Sequence, residues 1–282
     1  MLDALAAITR ALLYCGVLSC AGSVFAARTL LTPLVAPEIE HLVMTITRRG
    51  AWFAIASSLA GALILVLRLG GQFDESTLSA VFNSGFGAAT ALLLTGAGVL
   101  LASPSDPTGR TMRLASATLM TLSFALSGHA PAIDLADGLV VFVHASAAAW
   151  WVGSLLLLRI ACNKAKLHDI AQVVHRFSVL AVALVGGLVI AGLILIRALL
   201  NFTNALPLSA YEQILAIKIG IATVVLGVAA YNKFQLTPRL TVGDSTATSA
   251  LRISINVELT LVAAVLIATA ILTTYTSPPE PT

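Results

Sequence analysis

The sequence predicts an all-α polytopic membrane helix bundle of about eight transmembrane helices, with both termini on the non-cytoplasmic side. Three observations predict it. First, 58% of the 282 residues are hydrophobic and only 10% are charged, whereas a soluble domain carries about 25% charged residues. So few charges cannot cover a surface that faces water, so lipid must cover it. Second, the apolar runs are about 20 residues long, without alternation. Every backbone polar group in lipid must be satisfied internally, and runs of that length satisfy it as helices rather than as barrel strands. Third, lysine and arginine are sorted between alternate connections, which fixes an orientation.

The runs follow in order. The first covers residues 4–31, with Arg10 near its start and Arg28 near its end. It is too long for a secretory signal core and lacks a cleavage site, so it reads as a retained span. A polar stretch with Pro33, Pro37, Glu38, Glu40 and His41 fills 32–49 and suits a short interfacial helix. The second span is 51–69, closed by Gly70-Gly71 and by Asp74-Glu75. The third is 82–102, ended by the breaker-rich sequence SPSDPTG. The fourth is 112–127, followed by a short acidic loop with Pro131, and the fifth is 139–160. The sixth is 177–200, the seventh 211–231 and the eighth 253–275, and residues 276–282 read as a flexible tail. The whole chain, 1–282, reads as a single transmembrane domain.

Eight spans place twelve of the sixteen lysines and arginines on one side, including Arg48, Arg49, Arg110, Arg113, Lys164 and Lys166. That side is read as cytoplasmic. The opposite side holds Asp3, Asp74, Glu75, Asp134, Asp137 and Glu212, and is net acidic. The overall charge of +3 therefore reports membrane insertion, and no nucleic-acid partner is implied. Walker, dinucleotide-binding, GxSxG and HExxH patterns are all absent from the sequence. An enzyme or an ATP-driven pump is not expected.

Polar residues within spans are costly, so they mark candidate sites. Lys218 lies about two turns inside the seventh span, Glu258 about one turn inside the eighth, and Arg176 opens the sixth. The depths of Lys218 and Glu258 differ, which argues against a direct pair. His129 ends the fourth span and His144 lies one to two turns into the fifth. The short loop between these spans makes them an antiparallel hairpin, so both imidazoles fall near the outer face. Neutral imidazole suits copper and other borderline metals, and Asp134 and Asp137 in the loop add oxygen donors. Cys20 and Met120 lie near the middles of the first and fourth spans and carry the soft sulfur that favours Cu(I). Packing alone also accounts for each of these residues. Cys15 and Cys162 complete an odd set of cysteines, with Cys162 in a basic loop, and no disulfide framework is expected. His41, His168 and His175 fall on the basic side among Lys164, Lys166 and Arg176, where a bound cation is disfavoured.

Several stretches, in order and spacing, resemble the copper resistance D (CopD) family of bacterial inner-membrane proteins. They are SGHA at 127–130, HASAAAWWVG at 144–153, RFSVLAVALVGGLVIAG at 176–192, YEQILAIKIG at 211–220, YNKFQLTPRL at 231–240 and INVELTLVAAV at 255–265. The resemblance covers about 112–275; the first three spans share only hydropathy and a basic, proline-bearing loop. It implies copper movement across a bacterial inner membrane, commonly import from the periplasm, often beside a separate periplasmic copper-binding protein of the CopC type. It also singles out His129, His144, Trp151, Gly153, Arg176, Lys218 and Glu258. The expected metal ligands are thus His129, His144, Cys20 and Met120, with copper as the bound or transported ion and no haem. Two other classes remain open: a haem-binding or metal-reducing electron-transfer protein, and a copper-binding sensor or scaffold.

Overall fold

The structure is a computed structural model that describes residues 1–31, 37–71, 73–127, 135–199 and 209–275. His129, Asp134, the loop around them and the tail 276–282 lie outside the described residues. Among the described residues every regular element is helical: α1 (Leu2–Leu30), α2 (Pro37–Arg68), α3 (Glu75–Phe82), α4 (Gly85–Ala102), α5 (Pro107–Leu122), α6 (Leu135–Lys164), α7 (Leu167–Leu199), α8 (Ala210–Tyr231), α9 (Thr237–Thr241) and α10 (Ser245–Tyr275). A four-residue 3-10 turn, Ser123–Leu126, prolongs α5, and a five-residue π turn, Asn232–Leu236, joins α8 to α9. The chain is a multi-pass membrane protein. Among the described residues, seven helices are long and apolar enough to cross a membrane by length and composition.

The eighth crossing is α5 with its 3-10 extension. Sixteen α-helical residues followed by four 3-10 residues rise about 30 Å, the thickness of a hydrocarbon core. Contacts at one end of the bundle require this extra pass. Arg68, at the end of α2, pairs with Asp3 at the start of α1. Arg10 of α1 donates to the carbonyl of Thr273 near the end of α10, and the Tyr14 and Thr273 hydroxyls lie 3.3 Å apart. The start of α1 and the end of α10 therefore share one end of the bundle, and only an even number of crossings returns the chain there. At the opposite, basic end, Arg159 of α6 donates to Asn256 at 2.7 Å, and Arg252 of α10 donates to Asn163 at 3.4 Å.

α1 is the central helix, packed against α2, α5, α6 and α10. Its buried residues are small: Gly16, Cys20, Ala21, Gly22, Ser23 and Ala26. A Cβ on Gly22 would lie 1.9 Å from the Ala149 carbonyl oxygen, and one on Gly16 would lie 2.7 Å from the Ala54 amide. Without side chains there, α1 approaches α6 and α2 backbone to backbone, as small residues permit in membranes. The outer faces of α7 and α8 are left to lipid: Val179, Val182, Ile190, Leu193, Ile217 and Val224 are all exposed.

Several boundaries differ from expectation, each for a local reason. The polar stretch 32–49 is not separate from the second span, because α2 is continuous from Pro37 to Arg68. Ile39, Val43 and Thr47 recur every fourth residue and are buried, while Glu40, His41, Arg48 and Arg49 are exposed. The segment is therefore an amphipathic prolongation of the span. The basic loop expected near 161–176 is mostly helix as well: α6 runs to Lys164, α7 begins at Leu167, and Cys162 sits in the last turn of α6. Ile170, Val173 and Val174 bury the inner face of the new α7 turns. α3 is a short helix capped by the Asp74 carboxylate, which accepts from the Thr77 amide at 2.8 Å. α5 begins at Pro107, capped in the same way by Asp106. α10 begins at Ser245, eight residues before the expected 253.

Candidate functional site

α6 divides the candidate residues into two groups. Residues spaced by three, four and seven share a face of a helix. Ser146, Ala149 and Gly153 form one face, directed at α5 and α1: the Ser146 hydroxyl donates to Thr121 at 3.2 Å, and Gly153 meets Gly22. His144 and Trp151 lie on the opposite face, directed at α7 and α10.

Behind α6, between α1 and α5, Cys20 and Met120 meet. Their sulfurs are 3.8 Å apart and neither residue is exposed to solvent. The two sulfurs are close enough for one soft ion to reach both at a metal–sulfur distance of about 2.3 Å. Gly96 makes room for Met120, since a Cβ there would lie 2.9 Å from its Cγ.

On the other face, the His144 Nδ1–H donates to the Leu188 carbonyl of α7 at 3.1 Å. A carbonyl only accepts, so this bond assigns the proton to Nδ1 and leaves the Nε2 lone pair available. That is the tautomer a metal-binding imidazole needs, held by a partner on its other nitrogen. The ring fits because α7 has Gly192 beneath it: a Cβ there would lie 3.4 Å from the His144 Cε1. Lys218 of α8 lies within electrostatic range of His144, a neighbour that linear spacing does not reveal. Arg176, near the start of α7, is exposed.

Two helical turns along α6 from His144, a buried polar cluster forms. The Glu258 carboxylate of α10 is 1% exposed. It accepts from the Trp151 indole N–H at 3.4 Å and from the Asn232 side-chain amide. Asn232 opens the π turn after α8. Pro238 has no N–H to return to the carbonyl four residues back, and the backbone passes through π geometry just before it. Both the Thr237 amide and its hydroxyl instead serve the Asn232 carbonyl. Sequence reasoning missed Asn232; its signal was a polar residue and a proline within an otherwise helical run. Lys233 points away from Glu258, its ammonium donating to the Ser178 carbonyl at 3.0 Å.

Among the described residues, no group of three or more His, Cys, Asp or Glu side chains surrounds a common metal position. The described candidates are one imidazole and one sulfur pair, on opposite faces of α6.

Residues 171–272 match the model of the CopD family, described as Copper resistance protein D. The match runs from the start of α7 to near the end of α10, so it includes Arg176, Lys218 and Glu258, while Cys20, Met120, His129 and His144 precede it. No curated protein and no solved structure matches the chain.

Proposed function

From the CopD-family region at residues 171–272, a copper-resistance membrane segment, we propose that this chain moves copper ions across a bacterial inner membrane, inward from the periplasm to the cytoplasm. The observation that carries the site is His144, whose Nδ1–H is held by Leu188 so that Nε2 is available as a ligand. Copper is captured at the acidic, periplasmic end by His129 and His144, delivered there by a soluble copper-binding protein of the CopC type. The orientation follows from the basic residues at the opposite end. Cys20 and Met120 form a second, softer position for Cu(I). They lie across α6 from His144, so the sulfur pair stands beside the histidine route rather than in line with it. No ATP motif is present in the sequence, and the copper gradient, the membrane potential and cytoplasmic acceptors supply the drive.

The test is copper uptake into proteoliposomes with the oxidation state fixed by the buffer. The wild-type chain accumulates copper. A His129→Ala, His144→Ala double variant reconstituted at equal abundance does not. Equal uptake by the double variant removes the histidine site. Binding without uptake by the wild-type chain identifies a sensor or scaffold instead.

A further inference from the structure

Glu258 is a carboxylate deep in a membrane bundle, about 9 Å further along α10 than Arg252 at the basic rim. The described residues place no lysine, arginine or histidine within ion-pair distance of it. The charged groups nearest along the packed elements are turned elsewhere. Lys233 donates to Ser178, Arg252 to Asn163 and Arg159 to Asn256, and His144 and Lys218 lie toward the other end of the bundle. A buried ionised carboxylate supported by two neutral donors and no counter-charge is costly, and such a group is neutralised by binding a cation. Beside it, the Asn232 side-chain oxygen is buried with no hydrogen-bond partner, in a residue only 8% exposed. An amide oxygen in that condition is unusual and calls for an occupant.

We infer that the Trp151–Asn232–Glu258 cluster is a proton-binding site inside the membrane. The occupant is a proton rather than a metal ion because of the donor count. A hard cation takes about six oxygen ligands, whereas this site supplies one carboxylate and one amide oxygen. Trp151 and Asn232 each occupy one lone pair of the carboxylate, on Oε2 and Oε1 respectively. Each oxygen keeps a second lone pair, and a proton needs only one. The step is the simplest balanced one: the carboxylate takes up one proton and becomes the neutral acid, and it returns the proton on release. The π turn that carries Asn232 is a local departure from α-helical geometry of the kind found frequently at functional sites.

The experiment uses the full chain in lipid nanodiscs, without copper and with a chelator, so its result is independent of the transport reading. Infrared difference spectra are recorded from about pH 4 to about pH 9. The expected result is a carboxylic-acid C=O band from a buried site that disappears with rising pH and is absent from Glu258→Gln. A band that persists unchanged in Glu258→Gln, or the absence of any such band, overturns the inference. Should Glu258→Gln fail to fold, the wild-type chain is treated with a membrane-soluble carbodiimide, which reacts with protonated carboxyls. Peptide mass spectrometry then shows an adduct on Glu258 that falls at least tenfold from the acid to the alkaline end. An adduct that is absent throughout, or that responds to sodium and not to pH, overturns the proposal.

Discussion

Gly22 and Gly153 meet backbone to backbone: a Cβ on Gly153 would lie 1.9 Å from the Gly22 carbonyl carbon. This contact brings α1 and α6 together as a wall between the sulfur pair and His144. Gly153→Ala forces the two helices apart. The expected loss is about 1–3 kcal/mol, read as a lower thermal midpoint in detergent. Gly186→Ala is the control, because nothing lies within 4 Å of a Cβ there, and its midpoint stays at the wild-type value.

His144 depends on the space above Gly192. Gly192→Ala brings a methyl to ordinary contact with the ring, and copper binding falls little. Gly192→Val adds two carbons where the imidazole sits and displaces it from the Leu188 carbonyl. Copper affinity measured by competition with a chelator then drops about tenfold or more, with protein abundance unchanged. Equal affinity in Gly192→Val would separate copper binding from the His144–Leu188 bond.

The three thiols differ in access. Cys15 is exposed on the outer face of α1, Cys162 is partly buried and Cys20 is buried. A lipid-soluble maleimide is expected to modify Cys15 first and Cys20 last. Met120→Ala removes the side chain that covers Cys20, at a cost of about 2–5 kcal/mol, and speeds Cys20 labelling. Cu(I) is expected to protect Cys20 in the wild-type chain and not in Met120→Ala. Protection that survives the truncation would place Cu(I) elsewhere.

The turn before α10 should be insensitive to pH near neutrality. Asp244 accepts from the Thr246 hydroxyl and amide and from Arg239. The Thr246 hydroxyl, then Arg239, hold its carboxyl down to about 2. A lowered value stabilises the fold above the ordinary carboxylate range, and that support is lost as pH falls through about 2. Hydrogen exchange at Ala247, whose amide donates to the Asp244 carbonyl, is expected to keep its protection from neutral pH down to mild acid. Asp244→Ala loses that protection at every pH.

Most of the fold was legible because lipid imposes a simple rule: long apolar runs become helices. The helix ends were less legible. Hydropathy marks where lipid begins, and α2, α7 and α10 continue beyond it as amphipathic helices whose inner faces still bury Ile39, Val173 and Leu251. The 3-10 ending of α5 lay outside simple periodicity too. At the candidate site, Cys20 and Met120 share soft sulfur chemistry that the sequence shows, and the structure brings them together. Their position relative to His144 was not legible, because it depends on which faces of α6 meet α1 and α7. Glu258 read as a residue one turn inside its span; what was not legible is its burial there and its partner, Asn232, supplied by a turn that hydropathy does not mark.

The tie between Arg10 and Thr273 has a consequence for biosynthesis. α1 emerges from the ribosome first, yet one of its packing surfaces is α10, which emerges after all the other helices. Until α10 has been released by the insertion machinery, that side of α1, including Arg10, faces lipid or a chaperone. A chain stopped before Ser245 is therefore expected to remain a substrate of membrane quality control, even with its first seven crossings inserted.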